Sequence, residues 1–122
     1  MSLQNYRELE VWKRAIELVE GVCKLTKSFP NDERFGLTAQ IRRASASIPS
    51  NLAEGYGRSH RGDYLRFLSI ARGSLAEVET QLILSGKLGF STKVELNPIW
   101  NRCQRVGMML MKLQRSLSTE PA

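Results

Sequence analysis

Apolar residues return every three or four positions along most of this chain, and apolar and polar residues nowhere alternate strictly, so the pattern is helical from end to end. Breaker clusters cut it into four segments, about residues 8–27, 32–54, 63–88 and 93–117. Phe29 and Pro30 close the first, Asn31 caps the second, and Gly55, Tyr56 and Gly57 end it. Ser59 and Asp63 are alternative caps for the third, which stops at Gly89. The fourth starts either at Thr92, with Glu95 at capping-box spacing, or at Asn97 followed by Pro98. Pro49 lies inside the second segment, where a lost backbone donor and a clash with the Ser45 carbonyl predict a kink within one helix. Long helices with short connections predict an all-α fold, an antiparallel up-and-down four-helix bundle occupying residues 1–122 as one domain.

The first helix carries more apolar surface than one bundle needs. Leu9, Trp12, Ile16, Val19 and Cys23 form one row, and Val11, Ala15, Leu18, Val22 and Leu25 form another about a third of a turn away. Together they span roughly 200°, against the 100° or so that core packing requires. The first row is assigned to the core. The second, with Trp100 and Met111 beside the core row of the fourth helix, is assigned to contacts between copies of the chain, and a homo-oligomer is expected.

Composition changes this picture only in its charge. The chain has 122 residues, 42% hydrophobic and 25% charged, near the average for a globular protein. No run approaches the roughly 18 apolar residues of a membrane span. The first residues lack the basic and then apolar pattern of a secretion signal, and only Cys23 and Cys103 are present, so a reduced cytoplasmic setting is expected. Eighteen basic residues against twelve acidic ones give a net +6, and nearly all of the excess falls between residues 34 and 72, where every basic residue is arginine. Guanidinium pairs bidentately with phosphate and stays charged at any relevant pH, so a polyanion is the expected partner.

Catalytic material is thin. His60 is the one histidine and lies in a polar turn; no Glu-x-x-His pair exists, and the two cysteines show no metal-binding spacing, so no metal and no cofactor are expected. Polar residues do run beside the core rows: Ser47, Asn51 and Glu54 on the second helix, Ser74, Glu77 and Gln81 on the third. They read as a hydrogen-bonded network that fixes helix register. Antiparallel pairing brings Arg43 near Ser74 and Glu77, which predicts an Arg43–Glu77 contact and leaves Arg42 for a partner.

The run Gln40, Ile41, Arg42, Arg43, Ala44, then Ser47, Ile48, and Asn51 to Gly55 resembles the signature of the four-helix bundle proteins encoded in intervening sequences of bacterial 23S ribosomal RNA genes. Phe67, Leu68, Ile70, Ala71, Gly73, Ser74, Leu75, Glu77 and Gln81 are similar to that family's second block, and the opening Tyr6, Leu9, Val11 and Trp12 extends the likeness. The resemblance implies a ring-like homopentamer without enzymatic activity, akin to the basic accessory variability proteins of diversity-generating retroelements. The resulting expectation is a non-catalytic, oligomeric nucleic-acid-binding protein, RNA ahead of DNA, contacting phosphates through Arg42, Arg58, Arg61, Arg66 and Arg72. The alternative is a scaffold that binds another protein.

Overall fold

In the computed structural model, which describes residues 5–118, the chain forms α1 (Glu10–Thr26), α2 (Leu37–Tyr56), α3 (Arg61–Lys87) and α4 (Lys93–Ser118). Single 3-10 turns occupy Tyr6–Glu8 and Asn31–Glu33, and no strand occurs among the described residues. Each helix packs on two others in the cyclic order α1, α2, α3, α4, and neither diagonal pair comes into close backbone contact. Cross-helix bonds between residues 42 and 26, 47 and 74, 72 and 114, and 102 and 17 run antiparallel throughout. The result is an up-and-down four-helix bundle.

Local chemistry explains the helix ends. α2 begins at Leu37 and not at residue 32, because Asn31–Glu33 curl into their own turn. Glu33, not Asn31, then supplies the cap: its Oε1 accepts from the Leu37 amide at 3.0 Å. α2 runs unbroken through the buried Pro49 to Tyr56. His60 occupies the cap position of α3, where neither Ser59 nor Asp63 serves. Gly89 closes that helix in the left-handed region, φ 78°. The Phe90 and Gly89 amides there return to the Ser85 and Gly86 carbonyls at 2.8 and 3.2 Å, the Schellman pattern that a side chain at Gly89 would strain. α4 uses the earlier of its two candidate starts: the Thr92 amide donates to Glu95 Oε1 at 2.8 Å and the Glu95 amide to Thr92 Oγ1 at 3.2 Å, so Pro98 falls inside the helix.

The two rows of α1 are placed differently from the expectation. Val11, Ala15, Leu18, Val22 and Leu25 lie in the core, with Leu18 and Val22 fully buried. Leu9, Trp12, Ile16, Val19 and Cys23 are half-buried at its edge. The reason is that α1 is held from two sides. Glu17 and Gly21 face α4, Thr26 faces α2, and the Val11 row points inward between them. Val11, Leu18, Val22 and Leu25, expected at a contact between copies, are instead buried by packing within the bundle. Trp100 is half-buried against the core, while Met111 is 44% exposed on α4.

Polar side chains tie α2 to α3, the most extensively packed pair. Ser47 Oγ and Ser74 Oγ share a 2.7 Å hydrogen bond, and Asn51 Nδ2 donates to the Ser47 carbonyl at 2.7 Å and to Ser47 Oγ at 3.0 Å. Glu54 does not join them; it is exposed and pairs with Arg58 one turn away. Arg43 and Glu77 line one groove of about 420 Å³ beside the serine pair, yet no ion pair joins them among the described residues. Both side chains lie in solvent, where closing a pair gains little. Gln81 borders the same groove, and its buried Oε1 has no hydrogen-bond partner.

Two stability outcomes follow from this packing. Leu18→Glu places an uncompensated charge in the core and should lower the unfolding free energy by about 3 kcal/mol or more, whereas Ile16→Glu should cost well under half of that. Urea denaturation followed by circular dichroism separates the two, and equal losses would mean that the rows have been misassigned. Gln81→Met removes the unpartnered oxygen and should be neutral or stabilising by about 1 kcal/mol; Ser74→Ala removes the bond that Ser47 makes across to α3, leaving it only Asn51, and should destabilise by about 1 to 2 kcal/mol. Thermal melts of the two variants should move in opposite directions or leave only the serine variant shifted.

Candidate nucleic-acid interface

The connection from α2 to α3 is short, with Gly57 closing one helix and His60 preceding the next, so Arg58, Arg61 and Arg66 gather at one end of the bundle. Two of them are organised by an aromatic ring. The Arg58 and Arg66 Cζ atoms stand 5.0 and 4.9 Å from the centroid of Phe67, whose side chain is otherwise buried. The ring's negative face attracts each guanidinium and limits its rotamers, while both residues stay exposed to solvent. Arg58 also reaches Glu54 at 3.2 Å, a solvent-exposed pair that a phosphate can displace at small cost. Behind them Tyr56 and Tyr64 meet edge to face at 6.2 Å; burial, and secondarily Tyr56, pushes the Tyr64 hydroxyl up to about 12.

The other arginines expected in this interface sit elsewhere or have structural work. Arg61 is half-buried and donates to the Leu117 carbonyl at 3.3 Å, tying the start of α3 to the end of α4, where a cation also suits the helix dipole. Arg42 lies well along the bundle from the turn, and its Nε donates to Thr26 Oγ1 at 2.8 Å, so it links α2 to α1 and is less available than expected. Arg72, in mid-helix, donates to Gln114 Oε1 at 2.9 Å. The structure thus brings Arg58, Arg61 and Arg66 together and leaves Arg42 and Arg72 apart from them.

Sequence reasoning overlooked a second cationic cluster. Arg14 of α1 and Arg102 and Arg105 of α4 line one cavity of about 200 Å³ together with Glu17 and Asn101. Arg102 and Arg105 are three residues apart and so share a face of α4. That spacing was available as a signal, but only the antiparallel seating of α4 on α1 reveals which residues complete the group.

Among the described residues no group of three or more His, Cys, Asp or Glu side chains could hold a metal ion, and no helix is long and apolar enough to cross a membrane. Cys103 lies in the core, where burial, with a smaller push from Glu79, raises its thiol to about 12 and keeps it protonated.

Comparison with known proteins agrees with this architecture. A crystal structure at 1.70 Å resolution of a protein of unknown function from the S23 ribosomal protein family of Bacteroides thetaiotaomicron superposes with a TM-score of 0.80 at 24% identity, covering 86% of this chain and 98% of the other. At that identity the likeness shows the fold. No curated protein matches the chain. The sequence model of the 23S rRNA-intervening sequence proteins matches residues 7–112, which include the capped helices, the serine pair of α2 and α3 and the arginine-bearing turn, and the chain belongs to that family.

Proposed function

We propose that this protein is a non-catalytic, oligomeric nucleic-acid-binding protein that contacts phosphates from the α2–α3 end of the bundle. The observation that carries the reading is the pair of exposed guanidiniums, Arg58 and Arg66, held over the single ring of Phe67. Two fixed forks of donors suit phosphate oxygens, and the ring lowers the conformational entropy lost on binding. Tyr56 and Tyr64 are half-buried and packed on each other, so the site favours backbone contact over base reading. The family's name refers to 23S rRNA, which makes RNA the first ligand to test, ahead of DNA.

Self-association belongs to the same proposal, on a different face from the one first expected. With the Val11 row of α1 in the core, the apolar surface left for another copy runs along α3 and α4. Ile83 is 48% and Met108 63% exposed there, next to Met111 and the half-buried Leu96 and Trp100. Such a surface is covered in a homo-oligomer, for which the family resemblance implies five copies. A ring would repeat the Phe67 cluster once per copy and convert weak phosphate contacts into avidity along one polynucleotide.

Light scattering coupled to gel filtration should give several times the 13.8 kDa chain mass, and Met108→Glu with Ile83→Glu should reduce it without unfolding the helices. A monomeric wild-type protein would refute the oligomer. Binding to single-stranded RNA should be sequence-tolerant, with log affinity falling by about 0.7 per log unit of salt for each phosphate neutralised. Arg58→Gln combined with Arg66→Gln should flatten that slope by about 1.4 if each guanidinium meets one phosphate. Failure to bind RNA or DNA even at about 50 mM salt would exclude the nucleic-acid reading and favour a scaffold that docks a protein on the α3–α4 face.

A further inference from the structure

The cavity between α1 and α4 is built differently from the arginine cluster at the α2–α3 turn and faces another side of the bundle. Three arginines border a space of about 200 Å³. Two of the three are fixed by the protein. Arg14 Nη1 lies 2.8 Å from Glu17 Oε1, and Arg102 Nη1 donates to the Glu17 main-chain carbonyl at 2.9 Å. Arg105 has no hydrogen bond or ion pair among the described residues, although it borders the same space. Glu17 is the one carboxylate in the lining and offsets a single charge of three, while Asn101 adds a neutral amide. Glu10 approaches Arg14 only at 4.0 Å from outside the lining, and it also serves Lys13.

The backbone makes room for this arrangement. A Cβ added at Gly21 would stand 2.6 Å from Arg102 Nη1 and 2.6 Å from Ile99 Cδ1, so the glycine lets α4 approach closely and lets the Arg102 guanidinium lie across α1. Like charges converging in one cavity repel unless an anion enters, and the one internal carboxylate is too few. A carboxylate ligand would engage one guanidinium fork; a tetrahedral anion with three terminal oxygens can accept from all three arginines at once.

We propose that the Arg14, Arg102 and Arg105 cavity is a binding site for a phosphate group. Arg102 and Arg14 provide prepositioned donors, Arg105 closes on the anion, and the Asn101 amide is placed to donate as well. A free phosphate or a phosphate carried by a polynucleotide presents the same chemistry. The site is separate from the Phe67 cluster, and its occupancy does not require that cluster to bind RNA.

The test is a calorimetric or ³¹P NMR titration of the full chain with inorganic phosphate at low ionic strength, with acetate as the planar control. Phosphate should bind at least about tenfold more tightly than acetate. Arg105→Gln, which removes no internal bond, should weaken phosphate by about tenfold or more with an unchanged melting temperature. Gly21→Ala, by displacing Arg102, should weaken it as well. Absence of phosphate binding, or binding equal in wild type and Arg105→Gln, would overturn the site. A 5′-phosphorylated oligonucleotide that competes with inorganic phosphate, where its 5′-hydroxyl twin does not, would identify a terminal phosphate as occupant; competition by both would identify the backbone, and by neither, a free phosphate. In the Arg58→Gln, Arg66→Gln double variant inorganic phosphate should bind as in wild type. Loss of RNA binding there with phosphate retained keeps the two sites distinct, and RNA binding absent from wild type with phosphate retained would overturn only the nucleic-acid reading.

Discussion

The hydroxyl bond between Ser47 and Ser74, braced by Asn51, joins α2 to α3, and with the short connection after Tyr56 it holds these two helices in one register. Leucine and valine rows attract one another at several offsets, because apolar contact is non-directional and a helix can slide by a turn with little loss of buried area. A partly buried hydroxyl pair bonds directly at one offset only. Across that connection Phe67 of α3 lies beneath Arg58 as well as beneath its neighbour Arg66. Gln81, on the same face of α3, shows what lies outside that network: its amide oxygen is enclosed without a donor.

The distribution of charge has a second logic. Most of the positive excess is arginine between residues 34 and 72, yet the structure does not present it as one surface. Arg42, Arg61 and Arg72 each donate across a helix boundary, to Thr26, to the Leu117 carbonyl and to Gln114. A guanidinium has five donors, so one can serve an internal acceptor while others still face solvent. Arginine therefore fastens the seams of the bundle and keeps its surface basic at the same time. Arg58 and Arg66 differ in resting on an aromatic ring, and Arg105 differs in having no internal partner among the described residues.

The sequence by itself determined the fold class, the number of helices and several of their ends. Heptad-like spacing, Gly89 after the third segment and the Thr92–Glu95 box are local signals whose physics is contained within a turn or two of chain, and each is realised in the structure. The Ser47, Asn51 and Ser74 association was legible too, since their spacing places polar groups against an apolar row where only mutual bonding satisfies them. Of the five arginines grouped from the sequence, Arg58, Arg61 and Arg66 fall at or just after one short connection, while Arg42 and Arg72 lie along helices.

Tertiary structure alone decided which way an over-wide apolar arc faces and which distant residues meet. The Val11 and Trp12 rows of α1 are nearly equal in hydrophobicity, and only the seating of α4 against Gly21 and of α2 near Thr26 turned the first inward. Arg43 and Glu77 were correctly brought to one groove but not to a bond, because two long exposed side chains gain too little in water to be fixed. The convergence of Arg14 with Arg102 and Arg105 depends on a helix pair separated by most of the chain, and long-range pairing of that kind leaves no local mark in the residues it joins.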